Sequence, residues 1–548
     1  MAACSTFIDN APEMRAAFTT LACAMTLPAC ATVPALGPPE PVAERRPDRV
    51  LHVDLASPST PRDHFADLSV GSDYPGTLIR DDSLAQLRVV RAELGFRYLR
   101  FHAIFHDVLG TYREVKAKPV YDWSKIDYLY DQLLKATIRP FVELGFTPDA
   151  LKTSEQTIFY WKGNTSHPDP EKWLKLLDAF ARHLIERYGR DEVRSWFFEV
   201  WNEPNLAGFW EGADQAAYFD LYARSVRTLR AVDAQLKVGG PATAGAAWVP
   251  EFIAYAAERQ LPVDFVTTHT YGVDGGFLDE QGQSDTKLSP SPEAIVGDVR
   301  RVRAQIEASA MPGLPLYFTE WSTSYTPRDS VHDSYHSAPY ILSKLKESSG
   351  LLQGMSYWTF SDLFEEPGPP TAPFQGGFGL LNPQGIRKPA YFAYKYLHEL
   401  GERVIDTHDP QSIATVEGEG AAAAVKVLAW HYAPPAQPVS NRSYFTKVHP
   451  VGELAPLALE FSHLQPGSYV ARIRRTGFER NDAYTAYLKL GAPAQLTPTQ
   501  VDQLQALTRD EAELQTLRSD ASGTAHLTVP LREYDVLLVD LQRQAPGP

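Results

Sequence analysis

Two glutamates stand where strand-like apolar runs turn into loops: Glu203, within Phe198-Glu199-Val200-Trp201-Asn202-Glu203-Pro204-Asn205, and Glu320, within Tyr317-Phe318-Thr319-Glu320-Trp321-Ser322. Hydrolysis of a glycosidic bond needs two carboxyl groups flanking it, one protonated and one ionised. In that reading Glu203 is the general acid, kept protonated by burial and a neighbouring negative charge. Phe198, Trp201 and Trp210 supply apolar walls, and Glu320 supplies the repulsion. Asn202 is placed to hydrogen-bond a sugar 2-hydroxyl, a contact that strengthens in the transition state. Glu320 is the nucleophile, and it requires hydrogen-bond donors beside it, for which Tyr271 and Arg100 are the candidates. Glu199 is the rival for either role, but its mid-strand position reads better as a packed polar group inside the fold.

Further polar and aromatic residues gather at similar places. His269 and Tyr271 are two apart and share one face of a strand, as do Arg100 and His102. Trp358, Phe146, Trp161 and Tyr325 offer faces on which a sugar ring can stack, Trp358 foremost. Glu365 and Glu366, in Asp362-Leu363-Phe364-Glu365-Glu366-Pro367, are of a type that binds sugar hydroxyls bidentately. No His/Asp/Glu group has metal-ligand spacing, so no metal is expected. Neither a GxGxxG run nor a P-loop is present, and no cofactor is expected.

Such residues need strand ends to hold them. Strand-like runs at 96–101, 139–144, 196–201, 237–240, 264–269, 316–319 and 355–359 alternate with helix-like runs at 82–94, 122–136, 170–188, 215–232, 249–259 and 292–308. With an early strand near 65–70 the count reaches eight. The predicted class is α/β, a (β/α)8 TIM barrel with chemistry at the C-terminal ends of its strands. A doubly wound sheet would bind at one crevice and would not need polar groups at so many strand ends.

After residue 400 short alternating strands take over, interrupted by a helix-like stretch at 498–517, and predict a C-terminal accessory β-sandwich. The expected organisation is a leader and Pro-rich linker over 1–47, the barrel over 48–400 and the sandwich over 401–548. Residues 48–56 are strand-like and assignable to the sandwich. Of ten tryptophans only Trp430 lies in the C-terminal region, which argues against an independent sugar-binding module there.

At 548 residues the chain exceeds the size at which one core stops growing. A net charge of −15 disfavours nucleic acid as a partner, and a neutral substrate fits more easily. All three cysteines, Cys4, Cys23 and Cys30, fall near the N-terminus, so the body of the protein relies on neither disulfides nor thiol chemistry. No run is long and apolar enough to span a membrane. From Met14 an arginine, an apolar stretch and small residues form a signal-peptide pattern, with Leu27-Pro28-Ala29-Cys30 similar to a lipoprotein box. Export to the periplasm or beyond is expected, with Cys30 as a candidate lipid anchor and a cytoplasmic location as the alternative.

The motifs taken together resemble bacterial β-xylosidases of glycoside hydrolase family 39. The resemblance runs from about Arg49 onward through Leu99-Arg100-Phe101-His102-Ala103-Ile104-Phe105-His106, the two glutamate strings, Thr268-His269-Thr270-Tyr271, Tyr357–Glu366, Gly376-Gly377-Phe378-Gly379-Leu380 and Asn481-Asp482-Ala483-Tyr484-Thr485-Ala486. It implies Glu203 as acid/base and Glu320 as nucleophile, with retention of configuration. It further implies a single-sugar pocket lined by His102, Asn202, His269, Tyr271, Tyr325, Trp358, Glu365 and Glu366, with Arg100 and Phe146 in support. The expected activity is an exo-β-1,4-xylosidase releasing D-xylose from non-reducing ends of xylo-oligosaccharides. Alternatives are an α-L-iduronidase, an α-L-arabinosidase or a non-catalytic sugar-binding protein. Oligomeric state is not legible in the sequence.

Overall fold

A computed structural model of the chain describes residues 48–279, 281–418 and 424–544. The signal-like segment with its cysteines, and the linker, lie outside the described residues.

Eight parallel strands close into a barrel in chain order: Ser69–Ser72, Tyr98–Phe101, Arg139–Leu144, Phe197–Val200, Lys237–Thr243, Phe265–Tyr271, Leu316–Ser322 and Gly354–Tyr357. They are called the first to eighth strands below. The outer helices follow from apolar spacing. Pro170–Tyr188 starts at an Asp169 cap that accepts from the Lys172 N–H, with proline at the first helical position. It then buries Trp173, Leu176, Leu177, Phe180, Ala181 and Leu184, one stripe at three- and four-residue intervals.

Inside the barrel, period two sorts the side chains into layers. Tyr98, Phe141, Phe197, Phe265 and Tyr317 form an aromatic plug at the N-terminal end. Two residues further along, Arg100, Glu143, Glu199 and Thr319 make a buried polar layer. The plug closes the floor, so polar groups above it open only toward the C-terminal face. The first strand begins at Ser69, later than the 65–70 run suggests. Phe65 and Leu68 are buried from a turn, so their apolar character reflects packing and not strand pairing.

The accessory domain is a sandwich of a three-stranded and a seven-stranded sheet. One core joins them, with Leu51, Val53, Leu459 and Phe461 from the smaller sheet facing Val427, Ala471, Val539 and Leu541 from the larger. Arg49–Asp54 pairs in parallel with Leu457–Ser462, and Ser59–Pro61 edges the larger sheet beside Arg403–Ile405. Strand Val536–Arg543 is buried on both faces: Leu537, Val539 and Leu541 face the sandwich core, while Val536 and Leu538 join the barrel core. Trp430 does the same from the neighbouring strand, donating its indole N–H to Ser343 Oγ at 2.9 Å. The helix-like stretch at 498–517 divides. Pro498–Ala506 is helical, Asp510 turns the chain, and Glu513–Ser519 is a strand paired with Gly467–Thr476. No described helix is long and apolar enough to cross a membrane.

Candidate active site

The C-terminal ends of the strands surround a cavity of about 520 Å³, lined by His102, Asn202, Glu203, Tyr271, Glu320, Tyr325, Trp358 and Glu366 among others. A volume of that order suits a small ligand.

Arg100 organises its floor. The guanidinium is wholly buried and donates to Glu199 Oε2 at 2.6 Å, Glu320 Oε1 at 2.8 Å and Asn202 Oδ1 at 2.7 Å, and it lies 3.2 Å from Glu143 Oε2. Burial works against this cation, but Glu199, Glu143 and Glu320 outweigh it and hold it charged. The bond to Asn202 Oδ1 leaves Asn202 Nδ2 buried, on the cavity wall, and without a partner among the described residues. An unmatched buried donor there calls for an acceptor from a ligand.

Glu320 reaches the cavity through a local irregularity. Strict alternation along the seventh strand would send Thr319 inward and Glu320 outward. The ladders to both neighbouring strands slip at this point, pairing Thr268 with Phe318 but His269 with Glu320. This bulge turns both consecutive side chains inward. Glu320 Oε1 then accepts from Arg100 and Oε2 from the Tyr271 hydroxyl at 2.7 Å. Trp321 points away, packed on Tyr357 with ring centroids 6.0 Å apart.

Glu203 sits three residues beyond the fourth strand with φ of 46°, in the left-handed region that non-glycine residues seldom adopt. Its N–H donates to Ala242 O at 2.8 Å, which fixes the turn. Burial lifts its carboxyl to about 7, and Glu143 adds to the rise while His102 and Arg100 oppose it. Glu203 Oε1 lies 2.9 Å from His269 Nδ1. Burial pushes His269 down to about 4, so its imidazole is neutral.

His102 bridges two carboxyls, with Nδ1 2.7 Å from Glu143 Oε2 and Nε2 3.2 Å from Glu366 Oε1. Burial alone would lower it, but Glu143 raises it well above the usual histidine range. Burial also raises Glu366, to about 8, against the pull of His102. Trp358 forms one wall, its ring 4.6 Å from His102. It crosses the first strand at Gly71, where a β-carbon would stand 2.3 Å from the indole.

Of the expected pocket residues, His269 is wholly buried and does not itself line the cavity, and three others stand elsewhere. Glu365 does not line the cavity: its backbone N–H donates to Asp73 and its carboxylate pairs with Arg80 at 3.2 Å, turned to the rim. Phe146 and Trp161 pack behind the wall, Phe146 against His102 and Trp201, and Trp161 against Tyr74. Glu143 went unremarked in the sequence, although it is a lone glutamate in an apolar strand, as Glu199 is. Phe159, Leu206 and Phe209, which form an apolar collar at the mouth, carry no sequence signal beyond their type. Tyr325 is half exposed at the same mouth. Another part of the lining rests on the sandwich: Asn441 donates to Asp329 at 2.7 Å and accepts from the Leu288 N–H at 2.8 Å, bracing the segments that carry the lining residues Pro327 and Val273.

Glu203, His269 and Glu320 each place one oxygen or nitrogen within 4.8 Å of the others. Three such groups could in principle hold a metal, a juxtaposition the sequence spacing does not show. The Arg100 cation 2.8 Å from Glu320 already balances that charge, and a second cation there would be repelled. The arrangement instead presents two carboxyls to one point, one hydrogen-bonded to a neutral histidine and one to an arginine and a tyrosine.

The family model for glycosyl hydrolases family 39 matches residues 49–522. A β-xylosidase from Geobacillus stearothermophilus is 42% identical over 380 residues, 67% of this chain and 75% of that protein. The crystal structure of a monomeric β-xylosidase from Caulobacter crescentus CB15 superposes with a TM-score of 0.88 at 62% identity, covering 91% of this chain and 100% of that one. That of a family 39 enzyme from Xanthomonas axonopodis pv. citri gives 0.89 at 60% identity, with 91% and 98% covered.

Proposed function

Since the chain belongs to family 39 of the glycosyl hydrolases, we propose that it is a retaining exo-β-1,4-xylosidase in which Glu203 is the acid/base and Glu320 the nucleophile. The observation that carries the retaining mechanism is the approach of a Glu203 oxygen and a Glu320 oxygen to within 4.8 Å, and their unlike partners, His269 for Glu203 and Arg100 with Tyr271 for Glu320, support the roles. Retaining enzymes hold their carboxyls about 5–5.5 Å apart, whereas inverting enzymes leave about 6.5–9.5 Å for a water. Glu320 Oε attacks the anomeric carbon as Glu203 gives its proton to the departing oxygen. Water then attacks the glycosyl-enzyme, losing a proton to Glu203 and freeing Glu320. Asn202 Nδ2 is aimed for the hydroxyl beside the anomeric carbon, and Trp358 for the face of the ring.

The exo mode, with one terminal sugar released per cleavage, is the reading that the β-xylosidase relatives support, and a cavity of about 520 Å³ accords with it. Xylo-oligosaccharides are the substrate class that the named relatives support, and a role in xylan breakdown follows from it. α-L-Arabinosides, with a ring of similar stereochemistry, are the expected side substrates. An α-L-iduronide is disfavoured, because no arginine or lysine is among the described residues lining the cavity, and Glu366 would face the uronate carboxylate. Both carboxyls are present and aimed, which disfavours a non-catalytic binding protein. Export is our reading of the segment from Met14; cell fractionation with the Cys30→Ala variant tests it, and protein found only in the cytoplasm would end it.

Hydrolysis of p-nitrophenyl β-D-xyloside by wild type, Glu203→Ala and Glu320→Ala, each with added azide, tests the roles. Steady-state turnover should collapse in both variants, with β-xylosyl azide formed by Glu203→Ala and α-xylosyl azide by Glu320→Ala. The opposite pairing would exchange the roles, and wild-type turnover by either variant without azide would remove that residue from catalysis.

A further inference from the structure

Glu203 hydrogen-bonds His269, and the partners behind that histidine decide which way the proton lies. Glu199 is buried at the fourth strand and uses both oxygens: Oε2 accepts from Arg100 at 2.6 Å and Oε1 from the Thr319 hydroxyl at 2.7 Å. A hydroxyl has one proton to give. With that proton committed to Glu199, Thr319 Oγ1 can only accept from His269 Nε2, which lies 3.2 Å away. A neutral imidazole carries one N–H, so a proton on Nε2 leaves Nδ1 as a bare acceptor. Nδ1 stands 2.9 Å from Glu203 Oε1, and a hydrogen bond there needs the proton on Glu203.

We propose that Glu199 and Thr319 are positioning residues that fix His269 as its Nε2–H tautomer, so that Nδ1 accepts the proton of the acid Glu203 and holds it ready for the leaving group. This rests on the reading of Glu203 as acid/base. Period two along the seventh strand places Thr319 inward between Glu199 and His269, and the bulge adds Glu320 beside it. When Glu203 transfers its proton to the glycosidic oxygen as the carbon–oxygen bond breaks, its carboxylate is left facing a lone pair. That mismatch makes Glu203 a stronger base for the water of the second step, which restores the proton. The shift of Glu203 to about 7 accords with an arrangement favouring its protonated form.

Other groups act on the pair. Around Glu203 are His102, Arg100, Glu143 and Tyr271. His269 also meets Glu199 and Glu320, whose Oε2 lies 3.6 Å from Nδ1. Thr319→Val changes none of these charges and nearly preserves shape, removing only the hydroxyl.

The test uses the full chain carrying Thr319→Val, Thr319→Ser or Glu199→Gln. The glutamine keeps its carbonyl toward Arg100 and turns an amide N–H toward Thr319, reversing the relay from its other end. Profiles of kcat/KM against pH are measured on xylobiose, which needs acid assistance, and on 2,4-dinitrophenyl β-D-xyloside, which does not. Nitrogen-15 spectra of histidine-labelled enzyme, assigned by difference from His269→Asn, report the tautomer. Thr319→Val and Glu199→Gln should move His269 to the Nδ1–H form. Its alkaline limb on xylobiose should fall by about one pH unit, the order of tenfold that one lost hydrogen bond represents. The aryl xyloside should change less than about threefold, the barrier there not being proton transfer, and Thr319→Ser should behave as wild type. An unchanged tautomer, or an equal loss on both substrates at every pH, overturns the relay. If Glu203→Ala still hydrolyses xylobiose, the acid/base assignment itself has failed. If Glu203→Ala is dead and azide-rescued while Thr319→Val keeps the wild-type limb, only the relay has.

Discussion

Replacing Glu203 by glutamine should stabilise the fold at alkaline pH while abolishing hydrolysis. Burial holds the Glu203 carboxyl at about 7, against 4.5 for the same group in an unfolded chain. Below 4.5 both states carry the proton and the group contributes no pH dependence. Between 4.5 and about 7 the folded state binds more proton than the unfolded, so stability falls as pH rises. A gap of about 2.5 units at 1.36 kcal/mol each makes this loss about 3 kcal/mol, complete above pH 7. Glutamine escapes it: the amide is neutral at every pH, and its N–H can donate to His269 Nδ1 as the protonated acid does. Glu366, raised to about 8, and Asp73, raised to about 7, weaken both proteins alike and cancel in the comparison. Urea unfolding followed by tryptophan fluorescence should therefore find the two proteins equal within about 0.5 kcal/mol at pH 4.5. At pH 8.5 the variant should be ahead by about 2–3 kcal/mol. A difference of the same size at both pH values would refute the argument that desolvation keeps this acid protonated.

Gly71→Ala should destabilise the protein by about 1–3 kcal/mol and raise KM for xylosides, because its β-carbon would stand 2.3 Å from the Trp358 ring; unchanged urea midpoint and KM would show that Trp358 yields freely. Glu366→Gln should weaken substrate binding by about tenfold, the order of one lost hydrogen bond. Glu365→Gln should change KM less than about twofold, since an exposed ion pair contributes little; equal effects in the two would contradict the placement of Glu365 on the rim.

The barrel was legible because its strands and helices advertise themselves by period, and because Arg100, His102, Glu203, His269, Tyr271 and Trp358 fall at strand ends where a barrel gathers them. What escaped has physical reasons. Ser337–Ser348 has Ala338, Ile341, Leu342 and Leu345 at helical spacing, but Ser337, Ser343, Lys344 and Ser348 are buried as well, so no polar face marks it out as a surface helix. Asp510, which turns the chain between the helix at 498–506 and the strand Glu513–Ser519, is held by Lys395, Tyr396 and Asn481, partners no local pattern reveals. Glu365 and Glu366 are adjacent and chemically identical, and only the hold of Asp73 and Arg80 sends one out and the other in. Thr319 looks like any strand threonine until Glu199 and His269 are seen on either side of it, and the register slip that turns Glu320 inward leaves no mark in period two.

The pairing of Arg49–Asp54 with Leu457–Ser462 has a consequence for synthesis on the ribosome. This early strand enters its sheet beside a partner made about 400 residues later, which at about 5–20 residues per second is a wait of roughly 20–80 s. The barrel can assemble in the interval, its strands being neighbours in order of emergence. The apolar alternation of Leu51 and Val53 has no sheet to join during that time. Nascent chains therefore pass through a period with one unmatched strand edge ahead of the barrel, and completion of the sandwich both hides that edge and ties segments on either side of the barrel together.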